Sequence, residues 1–345
     1  MVKIRSIEVE PAIINSSCAW SSDRDQLQAL YDCPYTGAVT TRTATIGGFS
    51  ENDTHRVAFM NDEAHLTSIN SYGYSPHPLS TYLGVITDIL SSEKTSLAQE
   101  RLASKPFIIS ITASDARTLR TMVTSIQNTL RYTPDGTPSP WAHRIAVELN
   151  TSCPNISGAP PPAYTPSAPP LVDLLAVLQE EFKKDTSLTI GLKLPPYVYQ
   201  SQFHDILKVI AGLNFAVDGA TINPIAFFTC TNTLGNTLLF SSQTATPSSS
   251  SSSSGPKHAL PVPLGGLAGH SLHPLALGNV YTFSTLLQSA AFSDLKDIVV
   301  IGVGGVTDIS GVQRMRAAGA QVVGAASLFG KYGPDAFQRL VDEST

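Results

Sequence analysis

The stretch Ile298-Val-Val-Ile-Gly-Val-Gly-Gly-Val306 decides the fold. It is apolar on consecutive positions and then turns to glycine. A strand with one wet face alternates apolar and polar residues, whereas a run without alternation has both faces covered, as in a parallel sheet wrapped by helices. A helical pattern follows at 309–318 and a second β-branched run at 320–325, which together make a parallel β/α unit. Reading outward from there, strands are expected at 12–14, 37–41, 106–112, 144–150, 188–194, 219–223 with a continuation at 227–231, 298–303 and 320–325. Helical periodicity runs through 115–130, 171–184, 201–211, 275–287, 309–318 and 334–341. Leu171, Leu174, Leu175 and Leu178 form one apolar stripe at the i, i+3, i+4, i+7 spacing that buries against a sheet. About eight strands alternating with helical segments favour an α/β fold closed into a (β/α)8 TIM barrel over an open doubly wound sheet.

At 345 residues the chain is long enough for two domains of about 150 residues, or for one barrel of about 250 residues with loop insertions. The strand–helix alternation resumes beyond each irregular stretch, so a single domain over 1–345 is expected. One such stretch, 157–170, is rich in proline and alanine. Another, 241–257, holds seven consecutive serines, Ser248–Ser254, and cannot bury enough apolar surface to order itself, so it reads as a flexible insertion. Twenty-two Lys+Arg against 27 Asp+Glu, with no block of like charges, disfavour nucleic acid and anionic membrane as partners. No apolar run reaches the ~20 residues of a membrane span, and Lys3, Arg5, Glu8 and Glu10 replace an apolar leader, so a cytoplasmic protein is expected. The four cysteines form no CxxC pair and the eight histidines no HExxH, so no metal is expected.

Four strand ends carry groups suited to chemistry. Gly304 and Gly305 let backbone N–H groups approach an anion, and Ala326 and Ser327 repeat the arrangement one unit later. Loops after the last two strands of a barrel are a frequent phosphate site. A tight turn is the alternative for Gly304 and Gly305 alone, and the paired units favour phosphate. The dinucleotide fingerprint GxGxxG is absent. In Val147-Glu-Leu-Asn-Thr-Ser-Cys-Pro-Asn155, Asn150, Cys153 and Asn155 lie just beyond a strand. A lone cysteine there is often a small buried hydrophobe. Flanking amides add paired donors and acceptors for a planar polar ligand. Gly191-Leu-Lys-Leu-Pro-Pro196 puts Lys193 at the end of an apolar strand, either snorkelling to solvent or fixed toward an anion.

The segments Ser68-Ile-Asn-Ser-Tyr-Gly73, Asn150-Thr-Ser-Cys-Pro-Asn-Ile-Ser-Gly158, Gly191-Leu-Lys-Leu-Pro-Pro-Tyr197, Thr231-Asn-Thr-Leu-Gly-Asn236 and Val300-Ile-Gly-Val-Gly-Gly305 resemble, in that order, the dihydroorotate dehydrogenase family. The likeness is to the soluble, homodimeric class 1 enzymes, nearest to class 1A, and runs from residue 11 to 340 apart from the serine-rich insertion. It implies an FMN-dependent barrel that oxidises dihydroorotate to orotate in pyrimidine biosynthesis, with a cysteine base and a fumarate-type acceptor. Cys153 matches the base, and Lys193 the catalytic lysine beside the flavin. Asn70, Gly73, Asn150, Asn155, Asn232 and Thr233 match substrate-lining positions. Ser16 and Ser17 match backbone against the flavin, which Asn150 also borders. Gly304, Gly305, Ala326 and Ser327, with Gly269, match the cofactor's phosphate end.

Several positions depart from the family pattern. Arg42 aligns with an active-site lysine that meets both flavin and substrate. Its planar fork can clamp a carboxylate but cannot reproduce a lysine's point contact. Tyr72 and Tyr74 stand for methionine and leucine at the substrate end, His273 for a lysine, and Ala326 for a glycine. These changes leave open a second reading, an FMN enzyme of the same family acting on another unsaturated or dihydro substrate. A catalytically silent flavin-binding barrel is a third, against which the intact Cys153, Lys193 and asparagines argue.

Overall fold

The computed structural model describes residues 1–62, 65–92, 105–156, 158, 160–245 and 257–341. Eight parallel strands form one sheet: β1 (Ile13–Asn15), β2 (Val39–Thr40), β3 (Phe107–Ile111), β4 (Ile145–Asn150), β5 (Thr189–Leu194), β6 (Ile225–Cys230), β7 (Val299–Val303) and β8 (Val322–Ala325). Each pairs with the strand after it, except that β1 and β2 meet through a single parallel bridge, Ile14 to Ala38, while β8 returns to β1. The result is the expected (β/α)8 barrel. Helices α1 (Arg24–Asp32), α2 (Leu79–Ser91), α3 (Ala116–Ile126), α4 (Pro169–Lys184), α5 (Gln200–Ala211), α6 (His273–Leu287), α7 (Ile309–Ala317) and α8 (Ser327–Tyr332) follow the strands in turn.

Local chemistry starts several of these helices. Asp23, Asp115 and Asp308 each accept a backbone N–H of the first turn, and Pro169 occupies the start of α4, where its missing N–H costs nothing. The stripe of Leu171, Leu174, Leu175 and Leu178 is buried as expected. Inside the barrel a separate apolar cluster of Ile14, Ile108, Phe227, Ile301 and Val322 meets Ile4, Ile7 and Val9 of an N-terminal hairpin, Val2–Ile4 with Ile7–Val9. The hairpin thus closes the barrel floor, and catalytic space is confined to the other end.

Three expectations need correction. The strand expected at 219–223 is one arm of a small hairpin, Phe215–Val217 with Ala220–Ile222, outside the barrel. Asp218 and Gly219, both at positive φ (50° and 82°), make its two-residue turn, the geometry that Asp-Gly favours. The sixth barrel strand is therefore Ile225–Cys230 alone. The helix expected at 334–341 is a tighter 3-10 segment, Pro334–Leu340. The helix expected over 115–130 ends as α-helix at Ile126 and continues as a π-helical turn, Gln127–Arg131. The serine run and its flanks, 246–256, lie outside the described residues.

A four-stranded antiparallel sheet was not anticipated. Its order is Leu234–Leu238, Leu264–Gly269, Thr67–Asn70 and Val57–Phe59, built from the loops after β2 and β6. It brings two distant loops together beside the strand ends.

At the foot of the barrel wall, Arg131 is 1% exposed. It donates to the carbonyls of Ala142 and Ile145, to Asp185 at 2.8 Å and to Ser187 at 2.7 Å. Truncating a buried ion-pair partner strands the other charge, so Arg131→Ala should cost about 3–5 kcal/mol, read as a lower urea midpoint at unchanged slope.

Candidate active site

The C-terminal ends of the strands and the antiparallel sheet enclose a cavity with about 1020 Å³ of space between protein atoms, its open mouth included. Ser16, Ser17, Arg42, Asn70, Tyr72, Gly73, Tyr74, Asn150, Cys153, Asn155, Lys193, Asn232, Thr233, Gly269, Gly304, Gly305, Ala326 and Ser327 all line it. Every residue singled out from the sequence as a site candidate is thus brought to one place. Trp20, Cys18 and Thr231 line it too, without having been singled out.

Lys193 and Arg42 are the two cationic residues in the described lining, and no carboxylate lines it. Their situations differ. Lys193, 5% exposed, donates to the Ser17 carbonyl at 3.1 Å and to Ser16 Oγ at 3.3 Å, and no acid pairs with it among the described residues. One ammonium hydrogen therefore remains for a ligand. Arg42, also 5% exposed, has its fork filled by Glu51, at 2.9 Å from Nη2 and 3.4 Å from Nη1, and lies over the Tyr72 ring at 5.4 Å. Burial of a guanidinium demands such a counter-ion.

The asparagines orient one another. Asn155 Nδ2 donates to Asn70 Oδ1 at 3.0 Å and to the Tyr72 carbonyl at 2.9 Å, and Asn232 Nδ2 donates to Asn150 Oδ1 at 3.2 Å and to Ser152 Oγ at 3.0 Å. Asn150 Nδ2 reaches Thr43 Oγ1 at 2.9 Å. Cys153 is a free thiol, 8% exposed. Burial pushes its pKa up from the ordinary thiol value, while the Asn155 backbone, Lys193 and Arg42 pull the other way and do not cancel it. Burial likewise drives the Tyr74 hydroxyl up to about 12, so it stays protonated in the cavity.

Below the lining runs a buried polar chain. Ser17 Oγ meets Thr43 Oγ1 at 3.0 Å, Thr43 meets Ser110 Oγ at 3.0 Å, Ser110 donates to Glu148 Oε1 at 3.0 Å, and Thr229 Oγ1 donates to Glu148 Oε2 at 2.6 Å. Glu148 went unremarked in the sequence, although a charged residue inside an apolar strand signals a buried partner.

The residues fit a phosphorylated, planar cofactor. Gly304 and Gly305 hold φ of 137° and 69°, and a Cβ would lie 2.5 Å from Ala276 Cβ at the first and 2.6 Å from the Gly269 carbonyl at the second, so neither position takes a side chain and both present bare backbone to the cavity. Behind it, Arg314 Nε donates to His273 Nε2 at 3.0 Å, which puts the imidazole proton on Nδ1 to bind the Gly304 carbonyl at 2.7 Å. Thr231 Oγ1 is buried without a partner among the described residues and belongs to the same lining.

A family model described as dihydroorotate dehydrogenase matches residues 1–344. The chain belongs to the dihydroorotate dehydrogenase family. A relative from Streptococcus equi, provisionally named dihydroorotate dehydrogenase A (fumarate), is 28% identical over 343 residues, covering 99% of this chain and 90% of its own length. Relatives from Streptococcus agalactiae (24% identical, 99% of this chain and 91% of theirs) and Streptococcus pneumoniae (26%, 99% and 90%) carry the same provisional name. Among the described residues of this family member no group of histidines, cysteines and acids could hold a metal, and no helix is long and apolar enough to cross a membrane.

Glu148→Ala should leave two buried hydroxyls unpaired and a void, lowering stability by about 3 kcal/mol. Glu148→Gln, which keeps the shape, should cost about 1 kcal/mol. Urea unfolding of both variants measures the difference.

Proposed function

We propose that this chain is an FMN-dependent dihydroorotate dehydrogenase that uses a fumarate-type acceptor. The observation that carries the reading is the convergence of a buried free thiol, Cys153, and an acid-free buried ammonium, Lys193, on one cavity with a ring of oriented amides. Dehydrogenation across a C–C bond needs a base for one hydrogen, taken as a proton, and an acceptor for the other, taken as hydride. A proton on carbon beside a carbonyl is a weak acid, and Cys153 supplies the base that takes it. FMN, when bound, supplies the acceptor for the hydride that leaves the neighbouring carbon as the C=C bond forms.

The chain's own residues do the rest. Lys193, held by Ser16 and Ser17, places fixed positive charge where negative charge gathers on reduction, which is stabilising in a water-poor site. Ser16, Ser17, Asn150 and Lys193 would border the ring system, and Gly269, Gly304, Gly305, Ala326 and Ser327 its phosphate end. Asn70, Asn150, Asn155 and Asn232, with Gly73 and Thr233, would hold the planar pyrimidine. Tyr72 and Tyr74 narrow that end, and Arg42 supplies the counter-charge for a carboxylate. The acceptor would use the same cavity after the first product leaves. The homodimer is what the family resemblance implies, and the cytoplasmic setting is the expectation from the sequence. Leu238 and Leu264, 40% and 51% exposed on the antiparallel sheet, offer apolar area that a second copy would cover.

The filled fork of Arg42 favours one second reading, the same chemistry on an uncharged dihydro ring. Anaerobic addition of dihydroorotate or dihydrouracil to the purified yellow protein decides between them. Bleaching by dihydroorotate is expected, and bleaching by dihydrouracil alone would overturn the named substrate.

Cys153→Ala should slow that bleaching by roughly 10²–10⁴-fold while flavin stays bound, since only the base is lost. In the unaltered protein the working form is the thiolate, and its pKa lies above the ordinary value. The bleaching rate should therefore climb by about tenfold per pH unit through the neutral range without levelling below pH 8, measured by stopped-flow absorbance.

A further inference from the structure

Arg42 has five N–H hydrogens, and four are engaged. Nη1 donates to Glu51 Oε2 and Ser22 Oγ, both at 3.4 Å, and Nη2 donates to Glu51 Oε1 at 2.9 Å and the Gly73 carbonyl at 3.4 Å. The Nη1–Nη2 edge, which can take a carboxylate bidentately, is therefore held by a carboxylate of the chain itself. Glu51 does not line the cavity, and its side chain is 25% exposed, so it has solvent to turn to when released. Its loop is pinned on either side, by Phe49 N–H to the Ser75 carbonyl at 2.8 Å and by Ser71 Oγ to the Thr54 carbonyl at 2.6 Å. Arg42 also has Ser22, the Gly73 carbonyl and the Tyr72 face as partners that do not involve Glu51.

We infer that Glu51 is a specificity-determining residue, an internal carboxylate that competes with a ligand carboxylate for the Arg42 fork. The inference rests on the reading that this cavity takes a carboxylated pyrimidine. Glu51 lowers the affinity for acids and leaves neutral rings of the same shape unaffected, which sets how strongly the cavity discriminates between them. Charge-assisted pairs of this kind are the strong ones, and an occupied fork withholds most of that strength from a ligand.

The test is calorimetric titration of the flavin-loaded protein with orotate and with uracil, in the unaltered chain, in Glu51→Gln and in Glu51→Ala, with a thermal unfolding scan of each. Orotate binding should tighten by about tenfold in both variants, and uracil binding should stay within about twofold. Orotate binding that is unchanged or weaker in the folded variants would overturn the inference and make Glu51 a support for Arg42. Equal tightening of uracil would overturn it as well, because the effect would not depend on charge. Should dihydroorotate fail to bleach the flavin while orotate still tightens, the proposed reaction fails and the role of Glu51 stands.

Discussion

The buried carboxyl group of Glu148 is the constraint around which the upper barrel is organised. A polar side chain 2% exposed inside a barrel survives only if its oxygens are bonded, and both are, to Ser110 on β3 and Thr229 on β6. Those two hydroxyls tie β4 to its neighbour β3 on one side and, past β5, to β6 on the other. Ser110 then passes the constraint to Thr43, and Thr43 to Ser17 and Asn150. The candidate catalytic floor is thereby tied to the barrel wall through side-chain hydrogen bonds as well as through backbone. Such a floor can hold an amide or ammonium within a few tenths of an ångström, which is what positioning demands.

Above that floor the two cations divide their tasks by how they are neutralised. Lys193 is bound by a hydroxyl and a carbonyl, neither of which cancels its charge. It remains a source of positive potential in a cavity lined by no acid. Arg42 is neutralised by Glu51, so the far end of the cavity is electrostatically quiet until that pair opens. The contrast leaves one strongly positive point in the cavity and one neutralised one, so its potential is local and not spread over the whole lining.

Much of this was legible in the sequence, for identifiable reasons. Consecutive apolar residues at 298–301 and 107–109 report strands covered on both faces, and a polar residue at the end of such a strand has nowhere to point but the strand-end cavity. Cys153, Lys193, Gly304 and Gly305 all sit at such ends. The hairpin around Asp218 and Gly219 was misplaced because its β-branched arm mimics a barrel strand, although its turn residues name it. The antiparallel sheet was invisible because its strands are short and one of them, Leu264–Gly269, is half glycine. Glu51, Trp20 and Cys18 were missed because they reach the site from loops, where no periodicity announces which way a side chain faces. The helices α1 and α2 were passed over as well, yet their burial, Leu27 and Leu30 in one and Tyr82 and Ile86 in the other, follows the ordinary helical spacing.

Arg42, Glu51, Tyr72 and Tyr74 form one physical unit at one end of the cavity. A lysine there can satisfy three donors on nearby carbonyls or water, but an arginine buried to 5% must place five hydrogens in a plane. Its edges are met by Glu51, Ser22 and the Gly73 carbonyl, and its face by Tyr72. Tyr72 in turn packs edge-on to Trp20 at 6.3 Å, while Tyr74 packs edge-on to Phe49 at 5.9 Å, whose ring leaves no room for a side chain at Gly73. Changing Arg42 back to lysine would leave Glu51 facing a single ammonium and Tyr72 without the flat cation it stacks on. The arginine, the acid and the aromatic residues are therefore expected to change together or not at all, and the character of the substrate end is set by the group and not by any one member.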